Sequence, residues 1–71
     1  MFITLTRVWT IGSEEMKTKS SIININKINY MERTKLMDEI LTEIRFDDDY
    51  ILVLESVDHI MQMIEDLNLT K

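Results

Sequence analysis

Three consecutive aspartates, Asp47-Asp48-Asp49, are the residues whose chemistry stands out first. Carboxylate oxygens suit calcium or magnesium, but the glycine and the closing glutamate of a calcium loop are missing. Short polar residues between two apolar runs fit the tip of a hairpin instead. His59 is the sole histidine and there is no cysteine, so a zinc ion would find only carboxylates for company, and His59 reads as a surface position on a helix. No metal and no cofactor are expected. Among the cations, Arg7, Lys27, Arg33 and Arg45 are the candidate ligands for an anion. Arg7 and Arg45 fall within strands beside apolar neighbours, where a guanidinium can grip a carboxylate or phosphate with two N–H groups. The plainer reading is an ion pair with Glu43 or Glu55, across strands or between subunits. Trp9, Tyr30 and Phe46 have rings that stack on a base, fill a partner's pocket or simply pack a core. The sequence holds no nucleophile pattern, phosphate loop or acid–base pair in a recognisable context, and 71 residues leave little wall for a sequestered pocket. The expectation is a protein that is not an enzyme.

The elements that must position these residues are organised around Tyr50 to Leu67. Tyr50 to Leu54 is an unbroken apolar run, which predicts a strand over 50–54 buried on both faces. The period then changes. Val57, Ile60, Met61, Ile64 and Leu67 form a helical stripe while Asp58, His59, Gln62, Glu65 and Asp66 fall opposite, predicting an amphipathic helix over 57–68. Ser56 is placed to cap it, and Asp58 adds negative charge where the helix dipole favours it. Alternation of Ile3 and Leu5 with Thr4 and Thr6 predicts a strand over 2–9. Thr10 to Ser20 holds the only glycine, Gly12, and no apolar period, so it reads as a turn or mobile loop. Strands over 21–25 and 28–32 follow, with Asn24 and Asn26 bracketing a kink. Glu32 to Ile44 is ambiguous, since Met37, Ile40, Leu41 and Ile44 fit a helix while Ile40, Thr42, Ile44 and Phe46 fit one face of a strand. A turn or single helical turn through Asp38, then a strand over 40–46, is the reading adopted. The expected fold is α+β, a small antiparallel sheet of four or five strands closed by a C-terminal amphipathic helix, in one domain spanning 1–71.

Leu5-Thr6-Arg7, Ile23-Asn24-Ile25-Asn26 with Ile28 and Tyr30, and Thr42 to Phe46 followed by Val53-Leu54-Glu55-Ser56-Val57-Asp58 and Ile60 resemble the short FlbD-like proteins. Those proteins are found beside flagellar genes and, in divergent forms, in phages and many bacteria. The match covers about half the chain in the family's order. It implies a small antiparallel sheet closed by a C-terminal helix, and a flagellar or motility accessory role. Similar spacing occurs in LytTR-type DNA-binding domains, where an isoleucine-rich strand pair precedes a helix opening like Ser56-Val57 with Ile60; that likeness implies a nucleic-acid contact.

The totals bound the rest. A composition 45% hydrophobic and 30% charged belongs to a folding chain and not a disordered one. At this length only about 60% of the unfolded surface can be buried, and without cysteine no disulfide can supplement the core. A formal charge of −5 opposes non-specific attraction to nucleic acid or anionic lipid, though a local basic patch remains compatible with it. Neither a basic leader with a long apolar run nor a stretch of about 20 apolar residues is visible. The expected location is the cytoplasm of a bacterial host, with the Asn68-Leu69-Thr70 sequon accidental.

The sharpest expectation concerns partners. One helix covers one side of Tyr50 to Leu54, yet both sides are apolar, and Phe2 to Trp9 poses the same excess. A homo-oligomer is expected, a symmetric dimer or small ring joined through Ile3, Leu5, Trp9, Ile51 and Val53, holding a protein partner or a small anionic ligand. The alternative is a loop folding over the second face, using Met16 and Met37.

Overall fold

In a computed structural model that describes residues 1–12 and 15–69, the chain is a five-stranded antiparallel sheet with one C-terminal helix. The strands are β1 (Phe2–Ile11), β2 (Glu15–Asn24), β3 (Tyr30–Leu36), β4 (Glu39–Arg45) and β5 (Tyr50–Val53), followed by α1 (Val57–Leu69). Their order across the sheet is β2-β1-β5-β4-β3, so the first and last strands of the chain are neighbours at its centre. This is the α+β architecture that the sequence predicts.

Period-2 alternation decides which side chains meet the helix. Ile3 and Leu5 of β1, Ile23 of β2, Ile44 of β4 and Val53 of β5 share one side, and with Ile60 of α1 they form the buried core. Ile28, Met31, Phe46 and Ile51 pack around it. The helix keeps its predicted stripe at Ile60, Ile64 and Leu67 but turns slightly about its axis, so Met63 packs inward and Met61 stays exposed. Ser56 caps it as expected, its Oγ accepting from the backbone N–H of His59 at 3.1 Å.

The stretch read as a loop is the main correction. β1 and β2 form a hairpin of ten consecutive pairs, from Phe2 opposite Asn24 to Ile11 opposite Glu15, so β1 extends beyond residue 9 and β2 begins well before residue 21. Lys17 to Ser21 offers no apolar period because β2 is an edge strand, and its extended form is imposed by ladder bonding to β1. Gly12, at φ 66°, marks the tip, as its conformational freedom suggests. Ser13 and Glu14 of the expected loop lie outside the described residues.

β2 ends at Asn24, one residue early, because Ile25–Lys27 forms a turn of 3-10 helix. The Asn24 side chain accepts from the Asn26 N–H at 3.0 Å, the kink that the paired asparagines imply. β3 starts at Tyr30 and continues to Leu36, and the helical alternative for 32–44 is not taken. Only Met37 and Asp38 form the connection, with Leu36 opposite Glu39 and φ values of 50° and 65°. Two left-handed residues in a two-residue hairpin are the geometry that Asn-Gly adopts without strain. Met37→Asn combined with Asp38→Gly is therefore expected to raise stability by about 1 kcal/mol, measured as a rightward shift of the urea midpoint with unchanged slope. The ion pair that this variant gives up, Lys35–Asp38, is 3.8 Å long and solvent-exposed, so its removal offsets little.

β4 occupies Glu39–Arg45, and Asp47-Asp48-Asp49 forms the tight connection to β5. The Phe46 N–H donates to the Asp49 carbonyl at 2.8 Å, and Asn29 Nδ2 donates to Asp47 Oδ1 at 2.9 Å. β5 is cut short at Val53 because the chain turns into the helix. There the Glu55 carboxylate accepts from the backbone N–H of Thr6 at 2.9 and 3.1 Å and from Thr6 Oγ1 at 2.9 Å. It takes the place of the carbonyl that a longer β5 would present to β1. From the other flank, Thr42 Oγ1 donates to the Glu55 carbonyl at 2.7 Å. Strands β1 and β4 thus hold one residue at the corner between them.

Candidate functional site

Three of the residues expected to join subunits are corrected by this packing. Ile3 is 5% exposed, Leu5 1% and Val53 0%, so the chain's own helix and sheet already enclose them. The helix settles on that side because Ile23 and Ile44 lie beside them in register, whereas β2, β4 and β3 offer Ser20, Glu43 and Glu32 on the other. Ile51 is partly buried against the same core, and Trp9 is 39% exposed.

The four candidate anion ligands do not converge. Arg7 and Arg33 lie on the helix side, but Val53 and Thr42 separate them along one cross-strand row, three strand spacings or roughly 14 Å. Arg45 is on the opposite side. Its Nε donates to Glu43 Oε2 at 2.9 Å, and its guanidinium sits 4.6 Å from the centre of the Tyr50 ring. That hydrogen bond to Glu43 is the largest influence raising the arginine's pKa. The charge is therefore fixed throughout the working pH range. Arg45 is paired with Glu43, as the plainer reading allowed, though along its own strand, whereas Glu55 is occupied by Thr6. Lys27 borders a cleft of about 440 Å³ whose opposite wall is Asp47, Asp48 and Asp49, a setting that disfavours an anion.

Pairing brings together groups that the sequence reading kept apart. Lys19 stands opposite Arg7, and Lys17 opposite Trp9, all on the helix side of the β1–β2 hairpin. Lys17 is engaged by Glu15 at 2.9 Å. Among the described residues, Arg7 and Lys19 have no ion-pair partner. Had Glu15 to Ser20 been read as a strand, the Lys-x-Lys against Arg-x-Trp register would have been visible beforehand. A second grouping lies across the other side, where Tyr30, Arg45 and Tyr50 are successive cross-strand partners on β3, β4 and β5.

The side of the sheet away from the helix is only partly closed. Val8 and Leu41 are buried there, with Leu36 and Leu52 half-buried nearby. Of the two methionines considered as cover, Met16 is half-buried on β2 and Met37 is exposed in its turn. Phe2, Ile22, Tyr30 and Tyr50 project from this side and remain about half or more exposed. His59 is exposed, and no group of three metal-ligating side chains is gathered among the described residues. No helix among them is long and apolar enough to cross a membrane. The sequon threonine, Thr70, lies outside them.

Comparison with protein-family models, with curated proteins and with solved structures found no match. The class defined by the fold is thus a small α+β domain with a five-stranded antiparallel sheet, half covered by its helix.

Proposed function

We propose that this chain is a non-enzymatic binding module that works as a symmetric dimer, with the helix-free sides of two sheets packed together. The observation that carries the reading is the set of exposed apolar and aromatic side chains on that side, Phe2, Ile22, Tyr30 and Tyr50, in a chain too short to cover them with a second layer. A second copy suits the surface because it carries both signs of charge. Arg45 lies one row from Glu43 and Glu32, so a two-fold axis can set cation against carboxylate twice. The sheet edges suit association less. β2 carries Lys17 and an exposed Lys19, and β3 exposes Glu32, Arg33 and Lys35, which oppose edge pairing. Such a dimer would dock on a protein or retain a small anionic ligand in its host. The FlbD-like resemblance would place it in bacteria or their phages, and gene neighbourhood tests that part.

Sedimentation at low micromolar concentration tests the assembly. The wild-type chain is expected to run as a dimer, and Ile22→Asp as a monomer with an unchanged circular dichroism spectrum, because Ile22 is 74% exposed within one chain. A carboxylate at that position would be desolvated in the dimer without a partner, weakening it by about 100-fold. A wild-type monomer across this range would remove the reading.

A further inference from the structure

Thr6 shows which way the strands of the β1–β2 hairpin turn their backbone groups. Its N–H donates to the Glu55 carboxylate and its carbonyl accepts from the Leu54 N–H at 3.0 Å, so both face away from β2. Such groups alternate along an antiparallel ladder. Arg7 and Trp9 therefore exchange their bonds with Lys19 and Lys17, while Ser20 and Thr18, opposite Thr6 and Val8, turn their own N–H and C=O outward. β2 is the end strand of the sheet, and both residues are exposed. We propose that this open edge receives an acidic segment of a partner protein, added antiparallel to β2 as a sixth strand with carboxylates opposite Lys17 and Lys19. Such docking rests on the binding-module reading and gives its protein partner a surface and a chemistry.

Charge on this part of the molecule runs against that of the whole. Residues 2–11 and 16–24 hold Arg7, Lys17 and Lys19 and no carboxylate, in a chain of net charge −5. All three cations lie on the helix side. Because the backbones of Lys17 and Lys19 are turned to β1, these residues would form the non-hydrogen-bonded pairs of a new ladder. In such pairs the Cα atoms are about 4.5 Å apart and the side chains approach closest. Alternate residues of the added strand face them, and opposite charges at directly paired positions attract. Lys19 has no ion-pair partner among the described residues. Lys17 bonds Glu15 at 2.9 Å in a largely exposed pair, and its ammonium has further N–H groups to donate. Arg7, across from Lys19 on β1, adds to the same positive field.

The like charge that keeps two β2 edges apart thus becomes an attraction for an acidic strand. The edge at β3 matches less well, since it carries Glu32 and is followed by Asp38 and Glu39. Nucleic acid also matches less well, because its phosphates supply acceptors but no row of N–H donors for the Thr18 and Ser20 carbonyls. Only the edge and the helix side are used, so Phe2, Ile22, Tyr30 and Tyr50 stay available to a second copy.

Amide hydrogen exchange of the full chain, with and without a blocked heptapeptide alternating threonine and glutamate, tests the edge. In the free chain the Thr18 and Ser20 amides are expected to exchange rapidly and those of Lys17 and Lys19 slowly. At about 90% occupancy, exchange at Thr18 and Ser20 should slow by about tenfold, because only the free tenth of the molecules exchanges. Replacing the glutamates by lysine, or N-methylating the threonines whose amides face β2, should abolish binding. Lys19→Glu should weaken the peptide by about tenfold as repulsion replaces attraction, and circular dichroism verifies the folding of this exposed variant. An N-methylated peptide that binds equally well, peptide binding without protection of Thr18 and Ser20, no saturable binding, or tighter binding of single-stranded DNA of about 12 nucleotides would each overturn the assignment. Slow exchange of Thr18 and Ser20 in the absence of peptide would mean that a second copy already fills the edge, and would overturn it as well. Sedimentation judges the sheet-to-sheet dimer and exchange along β2 judges the edge, so either can fail alone.

Discussion

Ile60→Ala is expected to lower the unfolding free energy by about 3 kcal/mol, the usual scale for truncating a fully buried aliphatic side chain and leaving a cavity. Ile60 is the helix residue with no exposure at all, and it stands at the centre of a core otherwise built from strand residues. Met31, Met63 and Ile64 pack against the same core, and they would close over the vacancy only in part. Ordinary domains of this length have only about 4–10 kcal/mol in total. The variant should therefore retain a small margin, with a urea midpoint shifted strongly left. Met61→Ala, one position along and half exposed, is expected to change stability by under about 0.5 kcal/mol. A loss at Met61 equal to that at Ile60 would mean that the helix rests on the sheet by a different face.

Glu55→Ala is the second large effect, with an expected loss of about 2 kcal/mol. The Thr6 N–H and hydroxyl would both lose their acceptor, in a partly buried corner where water replaces it imperfectly. Glu55→Gln keeps an acceptor oxygen within reach and should recover about half of that loss, because bonds to an ionised group are roughly twice as strong as neutral ones. Chemical denaturation of both variants checks the ordering. Equal losses would assign the effect to the charge alone, and no loss in either would mean that Glu55 is dispensable to the corner.

The helix and β5 were legible because their signals are local. An apolar run followed by a change of period, a serine at the cap position and three aspartates at a turn can be read without knowing what lies alongside. β2 was hidden for the opposite reason. Its polar residues become a strand only through ten pairings with β1, and that partnership leaves no periodic mark in an edge strand with solvent on its open side. A turn through Asp38 was legible, but its two-residue form was not, since Met37 is not a residue that turns favour and the register of β3 against β4 forces its left-handed backbone. The interface residues were misplaced because alternation reveals that a strand has two faces without saying which one the helix will choose. Ile23 and Ile44, supplied by other strands, make that choice. The cationic pair beside Trp9 went unread with β2 itself.

The corner at Glu55 also bears on how the molecule opens. Because a side chain from the turn before the helix accepts the Thr6 amide proton, that proton is shielded by the last part of the chain and not by a neighbouring strand. Hydrogen–deuterium exchange at Thr6 would then follow the docking of α1, while the amides of β1 facing β2 would follow the hairpin. A single resonance near the N-terminus thus serves as a sentinel for the C-terminus, and its protection would vanish as the helix lifts, before the sheet itself comes apart.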